Sequence, residues 1–482
     1  MAKSTGKSKG KSKGGKRRAK MAVPGKKGDA SGSGSTTIVL ALVVAAVAVA
    51  AAVYTSVRVG LGSGGDGAGA GAGGSGEAWI DNAGELPRPS RNVTMSRIVR
   101  TPTSAEDDWG VWKTRDCDVL VDEWLYKVSV PFRGYHVVCF NPAEPGSVSD
   151  KMPTELVMKA YRDGQKSRQV TATVSGKSTK TLRADITAAL KIAPIEPGRE
   201  HRQPWAFFTN QARRASTKAQ VEQVMLLFEG GQWLWPGIEI GHMWEIENLV
   251  DGAPNLVLET LELQPLVLSV HHFLALSECD YIVGKAKPHF FTSEVAHQDK
   301  DIGKDSSTWR TSEQHWLKST TPALKFIDRR IEELVRVPEA NFEATQVLQY
   351  IGTGSRYVMH HDYFDVNAYR QNAQLQRAYK YGAVNRLATV FEYCSTVRSG
   401  GHTVFGRAGG LPQPADFADC NHGLRVAPEK GRVIIFYSLH PNGATDEFSL
   451  HGGCPPLPND DGSGPDIKHS ANKWVWNAPT GF

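Results

Sequence analysis

Two periodicities alternate along the C-terminal half of the chain. Over "TPALKFIDRRIEELVRVP" the apolar residues Leu324, Ile327, Ile331, Leu334 and Val335 recur at helical spacing and form one stripe between charged positions. Thr321 reads as the N-cap, Pro322 occupies the first helical position, where its missing N–H costs nothing, and Pro338 stops the run. After this amphipathic helix come short β-branched or aromatic runs, "ATQVLQYI", "YVMHHDYF", "RLATVFEYC", "GRVIIFYSL" and "KWVWNA", punctuated by Gly, Asn and Pro. A helix followed by many short strands predicts an α+β domain built on a β-sandwich or jelly roll. From about 80 to 255, runs such as "LYKVSV" and "YHVVCF" are interleaved with Gly, Pro and charge clusters. That predicts a β-rich or mixed accessory region without a catalytic constellation of its own.

The N-terminus follows another pattern. Residues 36–57 have an uncharged apolar core from Ile38 to Val53, and with their flanks they reach the ~20 residues that span a bilayer. Residues 1–35 hold 11 Lys or Arg against the single acid Asp29, a net of +10 within a whole-chain charge of +6. The remainder therefore carries −4, which gives nucleic-acid binding by the folded part no compositional support. A basic tail before an apolar segment reads as an uncleaved signal anchor rather than a cleaved signal peptide. Positive charge stays cytosolic, and the bulk of the chain faces a lumen. The Gly-rich segment 58–79 is then a stalk between anchor and lumenal part, and Asn92-Val93-Thr94 is a glycosylation sequon. Six cysteines, none at metal-finger spacing, suit one or two disulfides in an oxidising lumen. Cys117 and Cys139, flanking an apparent β-hairpin, are the expected pair.

Candidate chemistry concentrates in "RYVMHHDYFD". If residues 357–364 form a strand, His360 and Asp362 project on one face and His361 on the other. An imidazole and a carboxylate on one face suit Fe(II) or Mn(II) and are two thirds of a 2-His-1-carboxylate triad. A capped turn with solvated histidines is the plainer reading. A third ligand has two candidates, His451 and His440, since a jelly roll brings distant strands together.

Taken in order, "YVMHHDYF", "RLATVFEYCSTVRSGGHTVF", "KGRVIIFYSLHPNGATDEFSLHGGCP" and "KHSANKWVWN" resemble the catalytic domain of the prolyl 4-hydroxylases of the collagen, plant and algal type. These are 2-oxoglutarate and Fe(II) dependent dioxygenases. The resemblance implies a double-stranded β-helix (jelly-roll) domain with flanking helices over 256–482. It implies His360, Asp362 and His451 as iron ligands, with His440 in the loop before the last of them. It places Lys468 on the distal carboxylate of 2-oxoglutarate, with Lys473 as the alternative, and Tyr350 and Thr403 as hydrogen-bonding partners of the co-substrate. Arg386 and Trp474 would line the peptide groove. Two departures accompany the match: His469 stands where the family has Trp, and "NDDGSGPD" lengthens the loop before Lys468.

The activity so implied is peptidyl-proline 4-hydroxylation coupled to decarboxylation of 2-oxoglutarate to succinate, with L-ascorbate sustaining the iron. Its place is the membrane of the endoplasmic reticulum or Golgi, as a single-pass type II protein acting on proline-rich chains. Two rival expectations remain beside it. One is a dioxygenase of the same fold acting on another residue or a small molecule; the other is a non-catalytic module that binds proline-rich peptides.

Overall fold

A computed structural model describes residues 95–99, 117, 121, 130–142, 152–194, 205–247, 249–250, 253–382 and 384–479. The segment 36–57, the basic tail, the stalk and Asn92 lie outside the described residues, and no described helix is long and apolar enough to cross a membrane.

Strand β1 (Met95–Val99) precedes an antiparallel sheet of six strands: β2 (Tyr135–Pro142), β3 (Glu155–Arg162), β4 (Gln169–Ser175), β5 (Ala206–Phe208), β6 (Arg214–Ala215) and β7 (Val224–Phe228). Their spatial order is β4-β3-β2-β7-β5-β6. Helix α1 (Thr179–Leu190), capped by the Ser178 side chain, lays Leu182, Ile186 and Leu190 on one face of this sheet against Val138, Phe140 and Leu227.

The remaining elements are β8 (Met243–Glu247), β9 (Leu256–Leu263), β10 (Leu266–His271), α2 (Leu276–Ala286), β11 (Phe291–Thr292), β12 (Glu313–Leu317), α3 (Pro322–Val335), β13 (Thr345–Tyr350), β14 (Tyr357–His360), α4 (Ala373–Ala378), β15 (Arg386–Tyr393), β16 (Thr403–Phe405), β17 (Leu424–Val426), β18 (Val433–Tyr437), β19 (His451–Gly453) and β20 (Lys468–Trp476). Ten strands run β1-β8-β9-β10-β18-β15-β20-β13-β12-β11, and four run β14-β19-β16-β17. Phe391 and Tyr393 of the large sheet meet Phe405 and Val426 of the small one in a shared core. Helices α2 and α3 cover the opposite face of the large sheet, where Cys279, Ile282, Ile327, Ile331 and Leu334 pack with Val347, Val390, Ala471 and Val475.

The expected helix is present as read. Thr321 Oγ1 accepts from the Leu324 N–H, Pro322 is the first helical residue, and all five stripe residues are buried. The boundary expected at 255 is not where the sheets divide. Strands β1 and β8, from the accessory region, hydrogen-bond into the ten-stranded sheet. One apolar core joins Tyr135, Phe228, Trp233 and Trp235 of that region to Leu268, Val390 and Val475. Cys117 and Cys139 form a disulfide, Cys420 and Cys454 a second, and Cys279 and Cys394 are free and buried.

Candidate active site

The antiparallel pairing of β14 with β19 places His360 directly opposite His451. Strand β14, expected to run to residue 364, ends at His360, so Asp362 stands in the loop that follows. Its partner β19 begins at His451, opposite His360, after a 3-10 turn over Glu447–Ser449, so no described strand lies beside the chain beyond His360; further on, Asn385 Oδ1 accepts from the Phe364 N–H at 2.9 Å and its Nδ2 donates to the Phe364 carbonyl at 2.8 Å. The backbone groups of Phe364 are thus satisfied by a side chain and not by a strand ladder. Asp362 converges on His360 all the same, while His361 turns away to the Glu447 carbonyl, Nε2 to O 3.0 Å.

His360 Nε2 lies 3.6 Å from Asp362 Oδ1, and His451 Nε2 lies 3.5 Å from Asp362 Oδ2. The three ligand atoms lie within 4.8 Å of one another, and no other such trio occurs among the described residues. Each imidazole has its Nδ1 against a carbonyl, His360 on Val358 at 2.9 Å and His451 on Ser449 at 2.8 Å. A carbonyl only accepts, so both Nδ1 atoms carry the proton and both Nε2 lone pairs face the common centre. Thr389 Oγ1 donates to Asp362 Oδ2 at 2.6 Å, and the Tyr357 ring stacks on His360 at 3.6 Å. Burial alone would raise the Asp362 carboxyl. The facing imidazoles of His451 and His360 and the Arg386 guanidinium outweigh it and hold the group well below the carboxylate range. Burial brings His451 down to about 4, keeping it neutral and able to ligate. Two imidazoles with Nδ1 turned to carbonyls and one carboxylate, oriented from behind, are the donor set that suits Fe(II).

Deeper between the sheets sits Lys468, fully buried and without a hydrogen-bond partner among the described residues. Its Nζ lies 4.8 Å from the Tyr350 ring and 5.6 Å from Phe391. Burial brings it down to about 7. Tyr350 is its cross-strand partner on β13, and a Cβ at Gly453 would stand 2.9 Å from the Tyr350 hydroxyl, so the bare backbone there makes room for that ring. Thr403 pairs with Gly453 and accepts from the Tyr393 hydroxyl at 2.9 Å. Lys473, five residues along β20, faces the other way and is spent on Asp328 of α3 at 2.7 Å. The two departures leave this interior intact. His469 faces outward, its Nε2 2.9 Å from Gln349 Oε1, and the acidic insertion folds onto Arg398 through Asp461 and Asp466. His440, the rival third ligand, points to Asp446 at 3.9 Å instead.

From His360 and Asp362 a cleft of about 1410 Å³ extends outward, lined among others by Trp309, Tyr357, Arg386, Phe417 and Trp474. The Arg386 guanidinium lies 3.6 Å from the Trp474 ring centroid and grips Glu343 through Nε (2.6 Å) and Nη2 (2.9 Å). Trp316, partly exposed, leans on Trp474 at 5.8 Å. A volume of this size exceeds the several hundred Å³ of an ordinary small-molecule pocket.

The profile of the 2OG-Fe(II) oxygenase superfamily matches residues 345–476, which hold all three clustered residues. Among the Arabidopsis thaliana proteins that align with this chain are two probable prolyl 4-hydroxylases. Probable prolyl 4-hydroxylase 8 is 34% identical over 232 residues, 46% of this chain and 73% of its own length. Probable prolyl 4-hydroxylase 3 is 32% identical over 222 residues, 45% of this chain and 71% of its own. The chain belongs to the prolyl 4-hydroxylase family. It is a proline 4-dioxygenase type of enzyme of the 2-oxoglutarate and Fe(II) dependent superfamily. A solved viral collagen prolyl hydroxylase from Paramecium Bursaria Chlorella virus-1, in complex with 2OG, superposes on 44% of this chain and 95% of its own at 21% identity and a TM-score of 0.30.

Sequence reasoning on this prolyl 4-hydroxylase missed Thr389, Tyr357 and Glu343. The one signal for Thr389 is a polar residue on the face that β15 shares with Phe391 and Tyr393. Glu343 lies outside any regular run, and nothing in its neighbourhood marks it.

Proposed function

We propose that this enzyme hydroxylates C4 of prolyl residues in proline-rich polypeptides at the centre formed by His360, Asp362 and His451. The observation that carries the reading is the pairing of this trio, both Nε2 lone pairs inward, with a buried, unpartnered Lys468 in the interior between the same two sheets. Fe(II) would be held by the three ligands and supplies, with 2-oxoglutarate and dioxygen, the oxidising equivalent for C–H hydroxylation. The chain's own residues do the placing. Lys468 neutralises the far carboxylate of 2-oxoglutarate, which would otherwise be costly to bury, and Tyr350 and Thr403 offer hydroxyls beside it. Thr389 fixes the Asp362 carboxylate. Arg386, locked by Glu343, and Trp474 form a flat cationic and aromatic wall suited to an extended polyproline II segment. The two facing sheets support the jelly-roll reading of the domain.

Anchoring by 36–57 and a lumenal location, in the endoplasmic reticulum or Golgi, belong to the same proposal. Two disulfides support an oxidising compartment, and the basic tail before the apolar segment supports the orientation. L-Ascorbate is proposed as the reductant that restores iron after uncoupled turnovers.

The test is mass spectrometry of proline-rich peptides incubated with Fe(II), 2-oxoglutarate and ascorbate. One added oxygen on proline is expected, and none with His360→Ala. Iron-dependent consumption of 2-oxoglutarate with proline unmodified would rule out the substrate class.

A further inference from the structure

The connection from β7 to β8 reaches both segments that carry the candidate ligands. On one arm the Gly230 N–H donates to the Pro441 carbonyl at 2.5 Å, and the neighbouring Arg133 carbonyl accepts from the Asn442 N–H at 3.3 Å. Pro441 and Asn442 are the tip of the hairpin between β18 and β19, closed by His440 N–H to Ala444 O at 2.8 Å. At the base of that hairpin Asp446 N–H donates to Ser438 O, Ser449 Oγ donates to Asp446 O at 2.7 Å, and Ser449 O receives the His451 Nδ1 proton. On the other arm Gln232 Nε2 donates to the Asn477 carbonyl at 2.7 Å. Asn477 Oδ1 accepts from the Asn385 N–H at 2.9 Å, and the Asn385 side chain holds both backbone groups of Phe364, two residues beyond Asp362.

The fit has no slack. A Cβ on Gly230 would stand 2.6 Å from the Pro441 carbonyl oxygen, and one on Gly134 would stand 2.6 Å from the Asn442 nitrogen. Gly230 is not among the glycines at positive φ, so alanine there tests clearance and not backbone strain. Asp362 lies in a loop and His451 opens a strand of three residues, so neither ligand is fixed by a long element of its own. A site of this kind needs its ligands held to about 0.5 Å, and loops reach that only when something grips them.

We propose that the Glu229–Gln232 segment of the accessory region is a positioning element for the metal centre, holding the His440–Asp446 hairpin toward His451 and Asn385 toward Asp362. The inference rests on the reading of His360, Asp362 and His451 as metal ligands.

The test uses the full chain loaded with Co(II), read by equilibrium dialysis and by the d–d absorption of the bound ion, beside the thermal midpoint. Gly230→Ala is expected to weaken Co(II) binding about tenfold or more and to change the absorption spectrum, the loss typical when groups that orient metal ligands are disturbed. Gln232→Met, which leaves the backbone alone, should move both readouts in the same direction and decides the question if Gly230→Ala does not fold. Leu182→Ala, on the buried face of α1 and outside both arms, should lower the midpoint while Co(II) affinity and spectrum stay at wild-type values. Wild-type affinity and spectrum in both Gly230→Ala and Gln232→Met would overturn the proposal. Failure of the wild-type chain to bind Co(II) would instead overturn the ligand assignment beneath it, and the proposal with it.

Discussion

Burial without a partner brings the Lys468 ammonium from an ordinary 10.5 down to about 7, so near neutrality the side chain is poised between its two charge states. A carboxylate arriving beside Nζ favours the charged form. At pH 8 the free enzyme has largely lost this proton and the complex regains it, so binding takes up close to one proton; at pH 6 it takes up almost none. By linkage the affinity for 2-oxoglutarate falls as pH rises above about 7, approaching tenfold per pH unit above about 8. Calorimetry of 2-oxoglutarate binding to the Co(II)-loaded enzyme, in buffers of different ionisation heat, measures this uptake. Lys468→Met should bind far more weakly and lose the uptake. Equal proton uptake at pH 6 and pH 8 would remove Lys468 from the role. Single residues were unevenly legible. The H-x-D triplet announces itself because both partners lie in one short stretch. Thr389 and Glu343 do not, because what they touch is set by strand pairing and side-chain packing across 27 and 43 residues of sequence.

Among the elements, α3 was readable end to end, since its cap, its proline and its apolar stripe all point to the same bounds. Strand β20 was recognised only from Lys473 onward, although it begins at Lys468. Lys468, Ser470 and Asn472 face inward, and a polar inner face hides the alternation that marks a half-buried strand. The layer between the large sheet and its helices holds a second polar element, Glu392 of β15, buried with neither carboxylate oxygen hydrogen-bonded among the described residues. Burial raises it to about 8, the Lys473 charge opposing. An acid raised in this way keeps its proton in the folded chain after the unfolded chain has lost it. Its stabilising contribution is complete below about pH 4.5 and is withdrawn as pH climbs toward 8. Glu392→Gln should therefore raise the thermal midpoint relative to wild type at pH 8 and change it little at pH 5. A difference between the two proteins that is the same at both pH values would show that Glu392 does not titrate in this window.

At the scale of the whole molecule the boundary at 255 was misread because composition changes there while hydrogen bonding does not. Strands β1 and β8 come from the accessory side of it, and no local pattern reveals that they extend a sheet completed by residues two hundred positions later. The physical consequence is severe for any shortened chain. Trp233, Trp235 and Trp244 are buried in the core shared with Leu268 and Val390, and Trp235 donates its indole N–H to Leu334 of α3 at 2.9 Å. Losing a buried tryptophan costs roughly 3–5 kcal/mol, so three together cost about as much as the 5–15 kcal/mol by which a domain is normally stable. Removing β8 also uncovers the long apolar edge of β9, which invites association between copies. A fragment of residues 256–482 carries every candidate ligand and the whole family match, yet it is expected to aggregate or to melt without a cooperative transition. The chain from residue 80 should melt cooperatively. Thermal unfolding followed by near-UV circular dichroism, with light scattering on the same samples, decides it. A monodisperse fragment with a sharp transition and wild-type Co(II) affinity would mean that the accessory sheet is dispensable both for the core and for the grip on His451 and Asp362.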